Sequence, residues 1–247
     1  MRVAALYDIH GMLTPLQAVL DEVEDTDVIV VGGDVASGPQ PSETLELLRG
    51  LGDRVSWVRG NGDRELSTGG TGDYAPAVQR SLAWTAERLS EEQRTFLGAL
   101  AESVVLDVDG LGDVCFCHAT PRSDEEIVTQ ATPDRHLREV LSRAKESVVV
   151  AGHTHMQLDR RVDGFRWVNA GSVGMPYEGE VAAFWALLGP DVELRRTAFD
   201  VERTVEDVLA SGWPDAETFA AKNLRAAVRR EDVVPVFEGF AIDRGER

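Results

Sequence analysis

Short apolar runs alternate with helically spaced apolar positions along the first part of the chain. Residues 2–7 form a run of strand length, and 13–23 carry apolar residues at helical spacing around Thr14-Pro15, a favourable helix start. Residues 28–31 are an unbroken apolar, β-branched run, as expected of a strand buried on both faces. Residues 42–51 read as a second helix and 55–58 as a third strand. This βαβαβ succession predicts parallel strands joined by right-handed crossovers. Residues 74–89 read as a helix, and Ser90-Glu91-Glu92-Gln93 as a capping box opening another. Strand patterns then dominate, at 104–108, 114–117, 148–151, 158–162, 165–169, 181–188 and 192–199, with Asp163-Gly164 as a hairpin turn. From Val201 onward the pattern is helical, at 204–209 and 216–230, with Pro235 ending the second helix. One domain is predicted over residues 1–247, with the segment from about 201 to 247 packed on it or beside it.

Composition narrows the class of protein. A chain of 247 residues with 43% hydrophobic residues buries a sizeable core. No apolar stretch reaches the length of a membrane helix, and 1–6 enters a strand pattern with no leader-like features. A cytoplasmic setting is therefore expected, without membrane contact. The net charge of −18 argues against nucleic-acid partners, because duplex binding rests on Lys and Arg neutralising phosphates. It does not exclude a small phosphorylated substrate, since bound metals invert the field locally. Cys115 and Cys117 share one face of a strand, an arrangement that suits reduced core thiols and not a disulfide. The five tryptophans fall mostly at core-like spacing, and His136 reads as a surface residue at a helix start. Nothing decides the oligomeric state, so a homo-oligomer stays open.

The chemistry lies where strands end. Asp8-Ile9-His10, Gly33-Asp34, Gly60-Asn61-Gly62-Asp63, His118 and Gly152-His153-Thr154-His155 follow apolar runs of strand length in turn. Asp8 and His10 are two apart, so backbone curvature must turn both toward one point, and Gly11 makes room for it. Asp34 follows two glycines, and a carboxylate there is able to bridge two cations. Asn61 offers a neutral amide oxygen, while His153 and His155 flank one residue and so address neighbouring positions. Carboxylate, imidazole and amide groups of this kind suit divalent first-row metals. Seven side chains are about what two metals sharing one carboxylate need. The stretch 67–73 holds three glycines but lacks the Gly-Lys-Ser/Thr ending of a phosphate-cradling loop.

In order and placement these blocks (DIHG, GGD, RGNGD, CHAT, GHTH) resemble the signature of the calcineurin-like metallophosphoesterase superfamily. The later run Val168-Asn169-Ala170-Gly171-Ser172-Val173-Gly174 is similar to a turn of its small phosphodiesterase branch. The resemblance implies an α/β fold, a four-layer αββα sandwich. It also implies two divalent metal ions (manganese, iron, nickel or zinc). One would be bound by Asp8, His10, Asp34 and His155, the other by Asp34, Asn61, His118 and His153, with Asp34 as the bridge. The chemistry implied is a metal-dependent phosphoric ester hydrolase, a phosphodiesterase using a metal-bridging hydroxide, with Asp34, Asn61, His118 and Asp63 at the reacting centre. Asp63 would orient its neighbours, and Arg59 and Arg122 are candidate substrate contacts. The chain departs from the family at Gly62, where a His that assists the leaving oxygen is usual. Losing a general acid costs on the order of 10²–10⁴ in rate, so Gly62 points to diesters with good leaving groups. A protein phosphatase, a dinucleoside-polyphosphate hydrolase, and a protein-binding scaffold on the same fold are the rival readings.

Overall fold

The structure is a computed structural model and describes residues 1–69 and 75–247. Strand β1 (Val3–Leu6) is buried on both faces, as its unbroken apolar run requires. Val3, Ala5 and Tyr7 face one apolar cluster, with Phe116, Val150 and Val168 across from them. Ala4 and Leu6 face another cluster, shared with helices. Successive side chains of a strand point to opposite sides, so one short segment serves two layers of core.

Strands β2 (Val28–Val31) and β3 (Val55–Trp57) extend β1 in parallel. Helices α1 (Leu13–Glu22) and α2 (Pro41–Arg49) make the two crossovers. The outer face of this sheet is also covered by α3 (Asn61–Ser67), α4 (Pro76–Arg88) and α5 (Glu91–Gly98), through Leu66, Leu82 and Leu97. The Ser90 capping box opens α5 with both reciprocal bonds, Gln93 N–H to Ser90 Oγ and Ser90 N–H to Gln93 Oε1.

The second sheet contains β4 (Ser103–Val108), β5 (Gly112–Cys117), β6 (Val148–Ala151), β7 (Leu158–Val162) and β8 (Phe165–Asn169). Its spatial order is β4-β5-β6-β8-β7. Strands β9 (Ala183–Leu188) and β10 (Val192–Thr197) return to the first sheet, giving β10-β9-β1-β2-β3. Helix α6 (Asp134–Leu141) covers the far face of the second sheet, where Leu137, Val140 and Leu141 meet Val149 and Trp167. Cys115 and Cys117 are free thiols in that same layer. The result is the αββα sandwich.

Three sequence expectations are corrected. Residues 216–230 do not form one helix: α8 (Ala216–Phe219) passes into a π-helical turn at Ala220–Leu224, and α9 (Arg230–Asp243) starts afresh. Tertiary contacts decide this, because Phe219, Ala220 and Leu224 are drawn into a cluster with Met12, and the Val228 carbonyl accepts from Gly179 N–H. Pro235 lies inside α9 instead of ending a helix, and having no N–H it cannot donate to the Glu231 carbonyl. His136 is not surface either: its side chain is 12% exposed and its Nε2 lies 3.3 Å from Glu126 Oε1. Residues 70–73 of the glycine-rich stretch and Tyr74 of the expected helix lie outside the described residues.

Helix α7 (Val201–Ala210), α8 and the turn after it pack with Met12 and Trp84 beside α1 and α4. Helix α9 and the residues after it brace the loop after β5, with Glu238 accepting from Thr129 Oγ1 and Glu246 from Ile127 N–H. Among the described residues no helix is long and apolar enough to cross a membrane.

Candidate metal centre

Six non-glycine residues have positive φ among those described: Asp8, His10, Asp34, His153, His155 and Asp163. Five of them are candidate ligands. The left-handed conformation costs an L-residue about 1–2 kcal/mol, so a fold that repeats it at five positions beyond three strand ends is holding those side chains against their local preference. Gly33 supports the same bend (φ +99), and a Cβ on it would lie 2.6 Å from His118 Nδ1. Only a glycine lets the Asp34 loop and His118 approach so closely.

The side chains converge. Ligand atoms of Asp8, His10 and His155 all lie within 4.8 Å of one another, as do those of Asp8, Asp34 and His118. His155 Nε2 is 3.3 Å from Asp8 Oδ1, and the Nε2 atoms of His10 and His118 are each 3.9 Å from it. Asp34 turns one oxygen each way, Oδ2 at 4.0 Å from His10 Nε2 and Oδ1 at 3.6 Å from His118 Nε2. Asn61, at the start of α3, brings Oδ1 to 3.1 Å from His118 Nε2. His153 is the outlier: its ring lies 5.2 Å from that of His118, but its Nε2 is engaged by the Glu125 carbonyl. Only its Nδ1 is left to face the cluster.

The imidazoles are oriented from behind. Nδ1 of His118 donates to the Gly32 carbonyl and Nδ1 of His155 to that of Met175, while Nδ1 of His10 meets the Ser37 carbonyl and hydroxyl. With those protons on Nδ1, each Nε2 presents a lone pair inward, the arrangement that metal-binding histidines use. Nε2 of His10 and His155 then face each other at 3.1 Å as two acceptors. Asp8 Oδ1 is buried with no hydrogen-bond partner, although the other oxygen accepts from His153 N–H. A buried unsatisfied carboxylate oxygen and opposed lone pairs are costly alone and are relieved by a cation between them. The donor set fits the metals that the resemblance implies.

Asp63 sends both oxygens to backbone: Oδ2 accepts from Asp34 and Gly60 N–H and Oδ1 from Val35 N–H. It clamps two ligand loops together. Burial and then the charge of Asp34 push its carboxyl up to about 7. Burial pushes His153 down to about 3, helped by His118. Burial opposes ionisation of Asp8, yet His155, His118 and His10 outweigh it and hold that carboxyl well below its ordinary range.

Several supports left no readable mark in the sequence. Ser37, Gly32 and Met175 act through backbone or hydroxyl atoms, and the Tyr177 ring stacks on His155 at 5.0 Å. The Asn169-Ala170-Gly171-Ser172 turn, which did stand out, ties in directly. Ser172 Oγ donates to the Asp8 carbonyl, and Asn169 Nδ2 donates to the Gly152 carbonyl.

Two cavities flank the cluster. One of about 270 Å³ reaches His118 and contains Arg59, Arg64 and Arg122. Their charges are already engaged, Arg59 by Glu102, Arg64 by Asp124 and Glu125, and Arg122 in a two-pronged contact with Glu126. The other, of about 390 Å³, opens onto His10, Asp34, Asn61 and Gly62. A Cβ on Gly62 would lie 2.9 Å from Asp34 Oδ1 and 3.0 Å from Ser37 Oγ, so the bare backbone lets its N–H reach that carboxylate at 2.7 Å.

Residues 1–188 match the family profile of the calcineurin-like phosphoesterase superfamily domain. The chain belongs to that superfamily. Membership places it among metal-dependent phosphoester hydrolases. A crystal structure of a metallophosphoesterase from Sphaerobacter thermophilus is 27% identical, covers 92% of this chain and 100% of its own, and superposes with a TM-score of 0.74. The protein MJ0912 of Methanocaldococcus jannaschii is 25% identical over 86% of this chain and 94% of its own length. The symmetrical bis(5'-nucleosyl)-tetraphosphatase of Erwinia tasmaniensis is 30% identical over 54% of this chain, which spans 50% of that phosphoesterase relative.

Proposed function

We propose that this phosphoesterase hydrolyses phosphodiesters of small molecules, with two divalent cations shared among seven side chains. The observation that carries the proposal is the convergence around Asp8 Oδ1, buried and without a partner, with Asp34 turning one oxygen to each half of the cluster. Asp8, His10, Asp34 and His155 would hold one cation, and Asp34, Asn61, His118 and His153 the other. Bound there, the pair would supply positive charge to a phosphoryl group and acidify the attacking water. Manganese, iron, nickel and zinc all accept this donor set.

The chain's own groups do the positioning. Ser37, Gly32 and Met175 fix the imidazole orientations, and Asp63 fixes the approach of the Asp34 and Asn61 loops. Position 62 offers no side chain to protonate a leaving oxygen, which favours diesters whose leaving groups depart without that help. The activity named for the partial relatives makes a dinucleoside polyphosphate the second reading. Free buried thiols agree with a reducing, cytoplasmic setting.

Turnover of bis-(4-nitrophenyl) phosphate, 4-nitrophenyl phosphate and diadenosine tetraphosphate, with added manganese, tests the proposal. We expect the diester to be cut at least tenfold faster than the monoester. Equal or better monoester turnover would overturn the diester assignment. Metal uptake with no hydrolysis of any of the three would favour a scaffold.

A further inference from the structure

The larger cavity is built by a part of the chain that the family profile does not reach. That profile ends at residue 188, whereas Trp213, Asp215, Phe219 and Asn223 line the cavity together with Leu82 of α4. Its walls are mostly apolar in area. Leu82, Trp213 and Phe219 are all buried, and the Trp213 and Phe219 rings meet edge to face at 5.5 Å. Trp213 Nε1 donates to Ser81 Oγ at 2.7 Å, which fastens the C-terminal segment to α4 and closes that side.

Charge separates this cavity from its neighbour. No Lys or Arg lines it, so nothing there would hold a second phosphate. Of its polar side chains, Ser37, Glu65 and Ser81 are engaged by His10, Arg64 and Trp213, whereas those of half-buried Asp215 and Asn223 have no partner among the described residues. An ionised carboxylate accepts only, and an amide both donates and accepts. A simple alkyl or phenyl substituent would leave both unmatched. A nucleoside would match both, with its apolar ring faces on the walls and its N–H and hydroxyl groups on the carboxylate and amide. The volume of about 390 Å³ falls within the range of small-molecule sites, roughly 300–1,000 Å³.

We infer that this cavity is the binding subsite for the nucleoside portion of a phosphoester, with Asp215 and Asn223 reading its polar edges while the phosphorus lies at the cluster. The inference rests on the phosphoesterase reading above and adds the substrate class to it. It also places substrate selection on the helical segment after β10.

The test compares the 4-nitrophenyl esters of the four ribonucleoside 5'-monophosphates with methyl 4-nitrophenyl phosphate, each with manganese present. All release the same leaving group, so only the other substituent differs. At least one nucleoside ester should exceed the methyl ester tenfold in kcat/KM, chiefly through KM. Thr218→Trp, which places a bulky ring at an exposed cavity residue, and Asn223→Ala should both erase that preference while leaving methyl ester turnover within twofold. Nucleoside esters within twofold of the methyl ester, or variants that keep the preference, would overturn the subsite. If no ester is cut, the hydrolase reading fails, and equilibrium dialysis with the four free nucleosides decides the cavity separately. Binding that Thr218→Trp abolishes would support the subsite, and no binding at millimolar nucleoside would overturn it.

Discussion

The flank at His10 and the flank at His118 meet the same cluster with opposite chemistry. On the His118 side lie three arginines, each answered by a carboxylate, so that cavity carries little free charge despite its composition. On the His10 side lie apolar walls with an unanswered Asp and Asn, supplied by the C-terminal segment. Cationic composition therefore does not identify an anion site. What matters is whether a charge is already partnered after folding, and Asp8 Oδ1 at the centre and Asp215 on the apolar flank have no hydrogen-bond partner among the described residues.

Changes to the shared centre should act most strongly. Asp34→Asn should lower turnover of bis-(4-nitrophenyl) phosphate by more than about a hundredfold, because removing groups that merely support ligands already costs 10–100-fold. Retained turnover at saturating manganese would take Asp34 out of the centre.

On the His10 flank, Gly62→His would install the side chain usual in the family, yet its Cβ would press on Asp34 Oδ1 and Ser37 Oγ. Overpacking of this kind costs about 1–3 kcal/mol, so diester turnover should fall about tenfold with no gain on monoesters. A monoesterase gained by this variant would show that the cavity tolerates the ring. Ser37→Ala leaves His10 Nδ1 with only the backbone carbonyl, and manganese affinity by calorimetry should weaken about tenfold. Unchanged affinity would mean that the carbonyl suffices.

On the His118 flank, Arg122→Ala should act on stability before it acts on substrate. Burial pushes Glu126 up, but hydrogen bonds from Arg122 and Thr120 outweigh it and leave the carboxyl below its ordinary value. A carboxyl depressed on folding stabilises the protein above its unfolded value, near 4.5, and loses that contribution as pH falls through the folded value. The variant should therefore lose about 1–2 kcal/mol at neutral pH, with the gap from wild type closing in acid. A raised KM with unchanged melting would instead return Arg122 to the substrate.

Much of this was readable from residue order. Apolar runs such as 28–31 mark strands whose two faces are both covered, and ligand blocks at their ends follow from parallel strands that finish on one edge. The αββα architecture followed from family resemblance, and the sheets bear it out. The left-handed backbone at His153 and His155 carried no sequence signal, because local preference is overridden there by the surrounding fold. Trp213 looked like an ordinary core residue, since a cavity wall and a core have the same apolar composition. The fate of 216–230 was equally hidden, because helical spacing does not reveal that Phe219 and Leu224 are drawn toward Met12.

Anomalous diffraction from manganese-loaded crystals tests the central proposal most directly. The account predicts two peaks per chain, each within bonding distance of one Asp34 carboxylate oxygen, with His10 and His155 at one peak and Asn61 and His118 at the other. Peaks elsewhere, or no peak between His10 and His155, would contradict it.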